Sequence, residues 1–488
     1  MIRRSRIATY FKSLELENVR CFGNKQRLDL TSEEGKLKQW TLILGDNGVG
    51  KTSLLQSLVW LRPVLINKDE EENGEFVEQS EETTEIHAAL KKGTIGAALE
   101  EEDNETLERL LRIGGPPRFR MTADVCQGAN LTFDSVPEGK EIRTEITAYF
   151  DKKGLLSVDQ NEIYISTDLD GEFWEPFVVA YGANRQMGFQ NITSAFLEEE
   201  LSIRLSIATE LYDVEERLTS LHHAAADKKI KRHKANKTVS ESKEEKLLTT
   251  FKCALAETLP DEVRNVVKNE DDILIEAPKF DGGKLKKSIV KIKTFPGLVP
   301  FSNLSLGYQT TMAWVLDLAW RLFSRYPKST APLEEPAIVL IDEIDLHLHP
   351  HWQLQIMNKL ARVFKRTQFI ATAHSPLMVQ SMPNANFAIV QKHKSEVYII
   401  NEPEKVNGWR VDQILNSEYF GISHAWDEET EQLMKERDEL LLKSKRNSKE
   451  NVRLNELEEQ IASLPTATNP EDRKAMKLIR KAAQLIEK

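Results

Sequence analysis

Cysteine is scarce in this chain. Its 488 residues include three, Cys21, Cys126 and Cys253, far apart and without a C-x-x-C pair. That argues against a structural zinc site and a disulfide framework, and it fits a reducing, cytoplasmic setting. Long hydrophobic runs are missing too: none approaches the ~18 apolar residues that would cross a bilayer, so no membrane partner is expected. The basic start Met1-Ile2-Arg3-Arg4-Ser5-Arg6 has no apolar stretch behind it and does not read as a secretory signal. No repeat of fixed period is found.

Positive charge is in deficit mainly in one place. The formal net charge is −11, and residues 68–108 alone hold 15 acids against three lysines. The remainder is near neutral, so overall acidity does not exclude nucleic acid as a partner; a local basic groove would decide that. The length exceeds what one simple core organises, and two or three lobes are expected.

Against these absences stands one specific motif. Gly45-Asp46-Asn47-Gly48-Val49-Gly50-Lys51-Thr52 fits G-x-x-x-x-G-K-[ST] without a gap. It follows the apolar run Trp40–Leu44, which reads as a buried strand, and precedes Ser53–Val59, which reads as a helix start. Strand, glycine-rich loop and helix form the context of a phosphate-binding loop. Residues Asp46 to Ser53 would surround a nucleoside triphosphate, with backbone N–H groups and the helix N-terminus facing the phosphates. Lys51 would bridge the β- and γ-phosphates, and Thr52 would offer its hydroxyl to Mg²⁺.

A second half-site follows. Ala337–Ile341 reads as a buried strand that delivers Asp342 and Glu343 at its C-terminal end. This is a Walker B arrangement, with Asp342 on Mg²⁺ and Glu343 polarising the attacking water. Leu304-Ser305-Leu306-Gly307-Tyr308-Gln309 stands directly ahead of a helix expected over 307–326. Ile344-Asp345-Leu346-His347-Leu348-His349-Pro350-His351 follows the acid pair, and its alternate histidines could also suggest a metal site. Strand-like Gln368–Ala371 leads to His374-Ser375-Pro376, and a further strand is expected at 387–390.

The organisation expected is an ATPase lobe over 1–195 carrying a solvated acidic insertion at 67–112. A helical arm would span 196–260, with a lysine-rich turn at 228–234 that reads either as a solvated loop or as a nucleic-acid contact. A second ATPase lobe would cover 261–400. A charged helical region for partner docking or assembly would occupy 401–488, with Leu454, Leu457, Ile461 and Leu464 on a heptad-like seam.

These motifs, in this order, resemble the OLD/RecF/SMC-related branch of ABC-type ATPases over about residues 10–66 and 175–400. The 304–309 segment resembles the LSGGQ signature, with Leu306 and Tyr308 in place of its glycines, and 344–351 resembles the D-loop. The resemblance implies an α/β fold: an ABC-type P-loop head with an inserted helical arm and a helical C-terminal tail. It implies ATP and Mg²⁺ as cofactors and a homodimer or dimer-based assembly. In such an assembly Ser305, Leu306, Gly307 and Gln309 of one subunit contact the nucleotide held by Lys51 of the other. Glu343 and His374 would be the catalytic pair. Arg20 would lie on the adenine side; Phe22 there is equally well a core residue. Gln186 would complete the Mg²⁺ set as a Q-loop glutamine, although Tyr181-Gly182 also reads as a plain turn and Arg185 as the residue that matters.

The length, the arm position and the segment 411–421 further resemble the PtuA-like ATPases of prokaryotic Septu anti-phage systems and some retrons. That resemblance implies a partner HNH nuclease of the PtuB kind and DNA as a target. The sequence itself shows neither the paired aspartates of a TOPRIM nuclease after residue 383 nor a His-Asn-His set with zinc cysteines, so any nuclease activity is expected from another chain. The alternatives are a RecF-like repair ATPase, or a nucleotide-stabilised scaffold with little turnover. A transporter motor fits the signature but not the arm.

Overall fold

The computed structural model describes residues 7–66, 94–97, 110–112, 114–150, 156–160, 163–164, 175–183, 185–187, 209–211, 214–234, 242–259, 273–276, 280–281, 284–285, 288–294, 297–394, 396–401, 403–420, 427–443 and 446–462. In chain order the elements used below are β1 (Ala8–Glu17), β2 (Gln26–Asp29), β3 (Trp40–Gly45), α1 (Lys51–Trp60), β4 (Arg118–Gly128) and β5 (Lys140–Phe150). They continue with β6 (Val178–Tyr181), α2 (Val214–Lys234), α3 (Lys243–Thr258), α4 (Leu306–Arg325), β7 (Ala337–Ile341), α5 (Ile356–Val363) and β8 (Thr367–Thr372). The last are β9 (Asn386–His393), β10 (Glu396–Asn401), α6 (Glu428–Leu442) and α7 (Ser448–Ala462).

The apolar runs become the central sheet, in the order β6-β7-β8-β3-β9-β10. Neighbours are parallel up to β9, and β10 returns antiparallel along it. A strand reads as a continuous apolar run, rather than an alternating one, when both faces of its sheet are covered. β7 shows this directly: Ile338 and Leu340 enter one core and Val339 and Ile341 the other.

On one face lies an antiparallel sheet ordered β2-β1-β4-β5, extended by the 156–160 strand. Leu14 and Leu16 of β1 are buried there with Val19. The β1–β4 register shifts between Phe11 and Ser13. Such a bulge leaves backbone groups unpaired. The buried Gln368 of β8 repairs it: its Oε1 accepts from the Phe11 N–H at 2.9 Å, and its Nε2 donates to the Phe11 carbonyl at 2.8 Å. One amide thus fastens the two sheets together.

The opposite face carries helices. α4 is apolar nearly all round and is buried from Thr310 to Ala319, as a helix sandwiched between layers must be. α2 and α3 join that core through Leu218, Leu221, Leu248 and Phe251. α3 starts with a reciprocal capping box between Ser242 and Glu245.

Some expectations fail locally. Residues 228–234 continue α2 instead of forming a turn, and 209–211 form a strand, Thr209–Leu211, within the expected helical arm. The spacing of leucines does not distinguish a short strand from a helix end. β10 lies at the end of the expected ATPase lobe, with its last residue, Asn401, in the region read as helical tail. Within the acidic insertion 94–97 are a strand, and most of the remainder lies outside the described residues, as do residues 196–208 of the expected arm and Leu464 of the expected seam.

Contacts divide the chain into two compact units. The larger runs to Ile414 and includes 418–420; the smaller holds 415–417 and the residues from 421 onward. In the smaller unit α6 and α7 enclose a core of Leu440, Leu454 and Leu457, with Leu433 packed on it. Among the described residues no helix is long and apolar enough to cross a membrane.

Candidate functional site

In a parallel sheet, ligands bind beyond the carboxyl ends of the strands. Here β3, β8 and β7 stand side by side. Their carboxyl ends therefore place the phosphate loop, His374 and the Asp342-Glu343 pair in one row. A cavity of about 320 Å³ opens there, lined by Arg20, Cys21, Asn47, Gly48, Gly50, Lys51, Thr52, Ser53, Asp342, Glu343 and His374.

The loop geometry depends on Gly50. It is the N-cap of α1 with φ 97°, and a Cβ there would stand 2.5 Å from Cys21 Sγ. No side chain caps α1, so the free N–H groups of its first turn remain for an anion. Lys51 is only 6% exposed. Its Nζ donates to the Gly45 and Asp46 carbonyls, each at 2.7 Å. Burial pushes the Lys51 pKa down, opposed by the negative charges of Asp342, Glu343, Asp46 and Asp345. A desolvated cation poised beside the loop is well placed to gain from a phosphate.

Thr52 Oγ1 donates to Asp342 Oδ2 at 2.8 Å. A hydroxyl and a carboxylate oxygen at this separation suit Mg²⁺, which takes one or two protein oxygens and completes its shell with phosphate and water. The third expected ligand, Gln186, lies in the strand Arg185–Met187, paired with Thr209–Leu211; its side chain is outside the described residues. Among the described residues no group of three or more His, Cys, Asp or Glu side chains is arranged to hold a metal ion.

Glu343 adopts φ 49°, and its N–H donates to Thr372 Oγ1 at 2.7 Å. The His374 N–H donates to Asp345 Oδ2 at 2.9 Å. Arg20, at φ 48°, lines the cavity, and its Nη1 donates to Ser53 Oγ at 2.9 Å. Val49 faces away: its side chain is buried in the antiparallel-sheet core, and Asp46 does not line the cavity. Val49 would have to meet a nucleotide through its backbone. Phe22 is wholly buried in the same core.

The 304–309 residues do not line this cavity. Ser305 is the N-cap of α4, exposed, and its side chain makes no capping bond. Leu306 is 55% exposed and Gly307 is buried. Gln309 folds back, donating from Nε2 to the Ser302 and Leu304 carbonyls, so it shapes the loop ahead of the helix. Among the three histidines, His349 Nδ1 accepts from the His351 N–H, and their rings stack 5.6 Å apart.

Sequence reasoning missed Asp345 and Thr372 as partners of the site. A threonine two places before the strand-end histidine carries no distinguishing pattern, and its role emerges only when β7 and β8 pair.

Comparison with known proteins places the chain in a family. Residues 10–379 match the model of the AAA ATPase domain family. The chain is 26% identical over 409 residues to "Retron Vc95 probable ATPase" of Vibrio cholerae, covering 78% of this chain and 74% of that one. It is 36% identical over 121 residues to the Septu protein PtuA of Bacillus mycoides, covering 25% of this chain and 16% of that one. The SMC head domain of Thermotoga maritima aligns over 81% of this chain and 99% of its own, at 13% identity and a TM-score of 0.37. The chain is thus similar to a retron probable ATPase and to a Septu protein, although it spans only a small part of the latter. With the family model covering most of its length and the phosphate loop, acid pair and strand-end histidine around one cavity, the chain belongs to the AAA ATPase domain family.

Proposed function

We propose that this chain is the ATP-binding and ATP-hydrolysing subunit of a prokaryotic anti-phage defence complex, acting as sensor and regulator of a separate HNH-type nuclease that cuts nucleic acid. The observation that carries the chemistry is the pairing of Thr52 and Asp342 at 2.8 Å beside Lys51, with Glu343 and His374 on the same cavity. The defence setting is supported by the similarity to retron and Septu ATPases.

In this reading Lys51 exchanges its bonds to Gly45 and Asp46 for the β- and γ-phosphates. Thr52 and Asp342 hold Mg²⁺, which when bound neutralises phosphate charge. Glu343 accepts a proton from the attacking water, and His374 orients the γ-phosphate. Ser305, exposed at the start of a 20-residue helix with its hydroxyl not used as a cap, is suited to meet an anion on a second copy. Since the chain carries one set of motifs, the working unit would be at least a homodimer. Lys228 and Lys229, exposed on α2, are candidates for DNA backbone contact.

Native mass spectrometry of the chain purified with its neighbouring gene product, with and without ATP·Mg²⁺, tests the proposal. An even-numbered assembly retaining a small nuclease and nucleotide is expected. A lone monomer that dimerises only on ATP, with no partner retained, would instead favour a RecF-like repair ATPase.

A further inference from the structure

The Thr372 side chain is buried in β8 and touches both members of the acid pair. Its hydroxyl donates to Asp342 Oδ1 at 2.6 Å and accepts from the Glu343 N–H at 2.7 Å. A hydroxyl has one proton to give, and here it is given to one carboxylate while a lone pair receives the next residue's amide. The two Asp342 oxygens are thereby made unequal. Oδ1 is engaged by Thr372, and Oδ2 is turned to Thr52 on the cavity side.

The second bond acts where the chain bends sharply. Glu343 has φ 49°, left-handed for a residue with a Cβ, and such a conformation persists only where its surroundings impose it. Thr372 anchors that bend twice: its hydroxyl takes the Glu343 N–H, and its carbonyl takes the Ile344 N–H at 3.0 Å. A β-branched residue at a buried strand position needs no hydroxyl to pack, and valine has nearly the same shape. The hydroxyl is therefore the informative atom.

From this geometry we infer that Thr372 is a positioning residue for ATP hydrolysis. One hydroxyl aims the Asp342 oxygen that meets Mg²⁺ and fixes the backbone from which Glu343 reaches the water. The inference rests on the ATPase reading above and adds to it a residue that no motif names. Groups that orient a metal-ligating carboxylate typically matter 10- to 100-fold in metal affinity or activity.

The test uses the full chain as parent, Thr372→Val, Thr372→Ser and Lys51→Ala. Two quantities are read: binding of a fluorescent ATP analogue in EDTA and across a Mg²⁺ titration, and steady-state kcat and KM. For Thr372→Val, binding in EDTA should match the parent. The Mg²⁺ needed for half-maximal enhancement should rise, and kcat should fall, each by about 10- to 100-fold, with KM little changed. Thr372→Ser should return both to within a few fold of the parent. A Thr372→Val protein within twofold of the parent in both readouts overturns the inference, as does a serine variant as impaired as the valine one. Should Thr372→Val show no cooperative melt, Thr372→Ala is compared with Thr372→Ser on the same criteria. If the parent turns over no faster than Lys51→Ala, hydrolysis itself is refuted, and the Mg²⁺ titration still decides the role of Thr372.

Discussion

Gly307 lies directly against the carbonyl oxygen of His347: a Cβ on Gly307 would stand 2.1 Å from that oxygen. The start of α4 and the 344–351 loop are thus in backbone contact, which only glycine permits. Gly307→Ala should push the two apart, cost about 1–3 kcal/mol as an overpacked site does, and reduce ATP turnover. Thermal melts with ATPase assays check this; an alanine variant with parental turnover and melting would show the contact to be slack.

Lys51 and Glu343 should separate binding from chemistry. Lys51→Ala is expected to abolish nucleotide binding. Glu343→Gln should retain ATP and lose turnover by about 10²- to 10⁴-fold, the usual contribution of a positioned base. Binding titrations beside phosphate-release rates distinguish them, and persisting turnover in Glu343→Gln would remove that residue from its role.

Trp352 joins the arm to the 304–309 segment. It is buried, its Nε1 donates to the Thr258 carbonyl at 3.0 Å, and its ring stacks on Tyr308 with centroids 4.8 Å apart. Trp352→Phe keeps an aromatic ring but leaves that buried carbonyl without its donor, a loss of about 1–3 kcal/mol. A lowered melting temperature is expected, and an unchanged one would mean that the carbonyl finds another donor.

The antiparallel lobe should show a pH-dependent contribution. Burial works to raise the Asp124 pKa, but the hydrogen bonds from Arg143 and Ser13 and the charges of Arg143 and Arg27 outweigh it and hold the carboxyl below its ordinary value. A depressed carboxyl pKa stabilises the fold at neutral pH, and that stabilisation is lost as pH falls through the folded-state value. Arg143→Gln should therefore melt earlier than the parent at pH 7, with the gap closing below about pH 4. Melting curves across pH check the sign; a gap that widens in acid would contradict it.

The sequence by itself determined where the glycine-rich 45–52 loop, the acid pair and the strand-end histidine lie. Each is a local pattern: a glycine run between strand and helix, or an apolar run that stops at an acid. It also determined the α/β class, because continuous apolar runs such as 337–341 must be covered on both faces. Tertiary structure alone decided the rest. That Thr372 serves Asp342 and Glu343 follows from β8 pairing with β7, which joins residues 29 or 30 apart in sequence. That Gln368 repairs the β1 bulge joins residues 357 apart. That Val49 is a core residue follows from the sheet packed over α1. Patterns record what a residue does to its neighbours along the chain; hydrogen bonds between strands and closeness across layers arise only when distant segments meet.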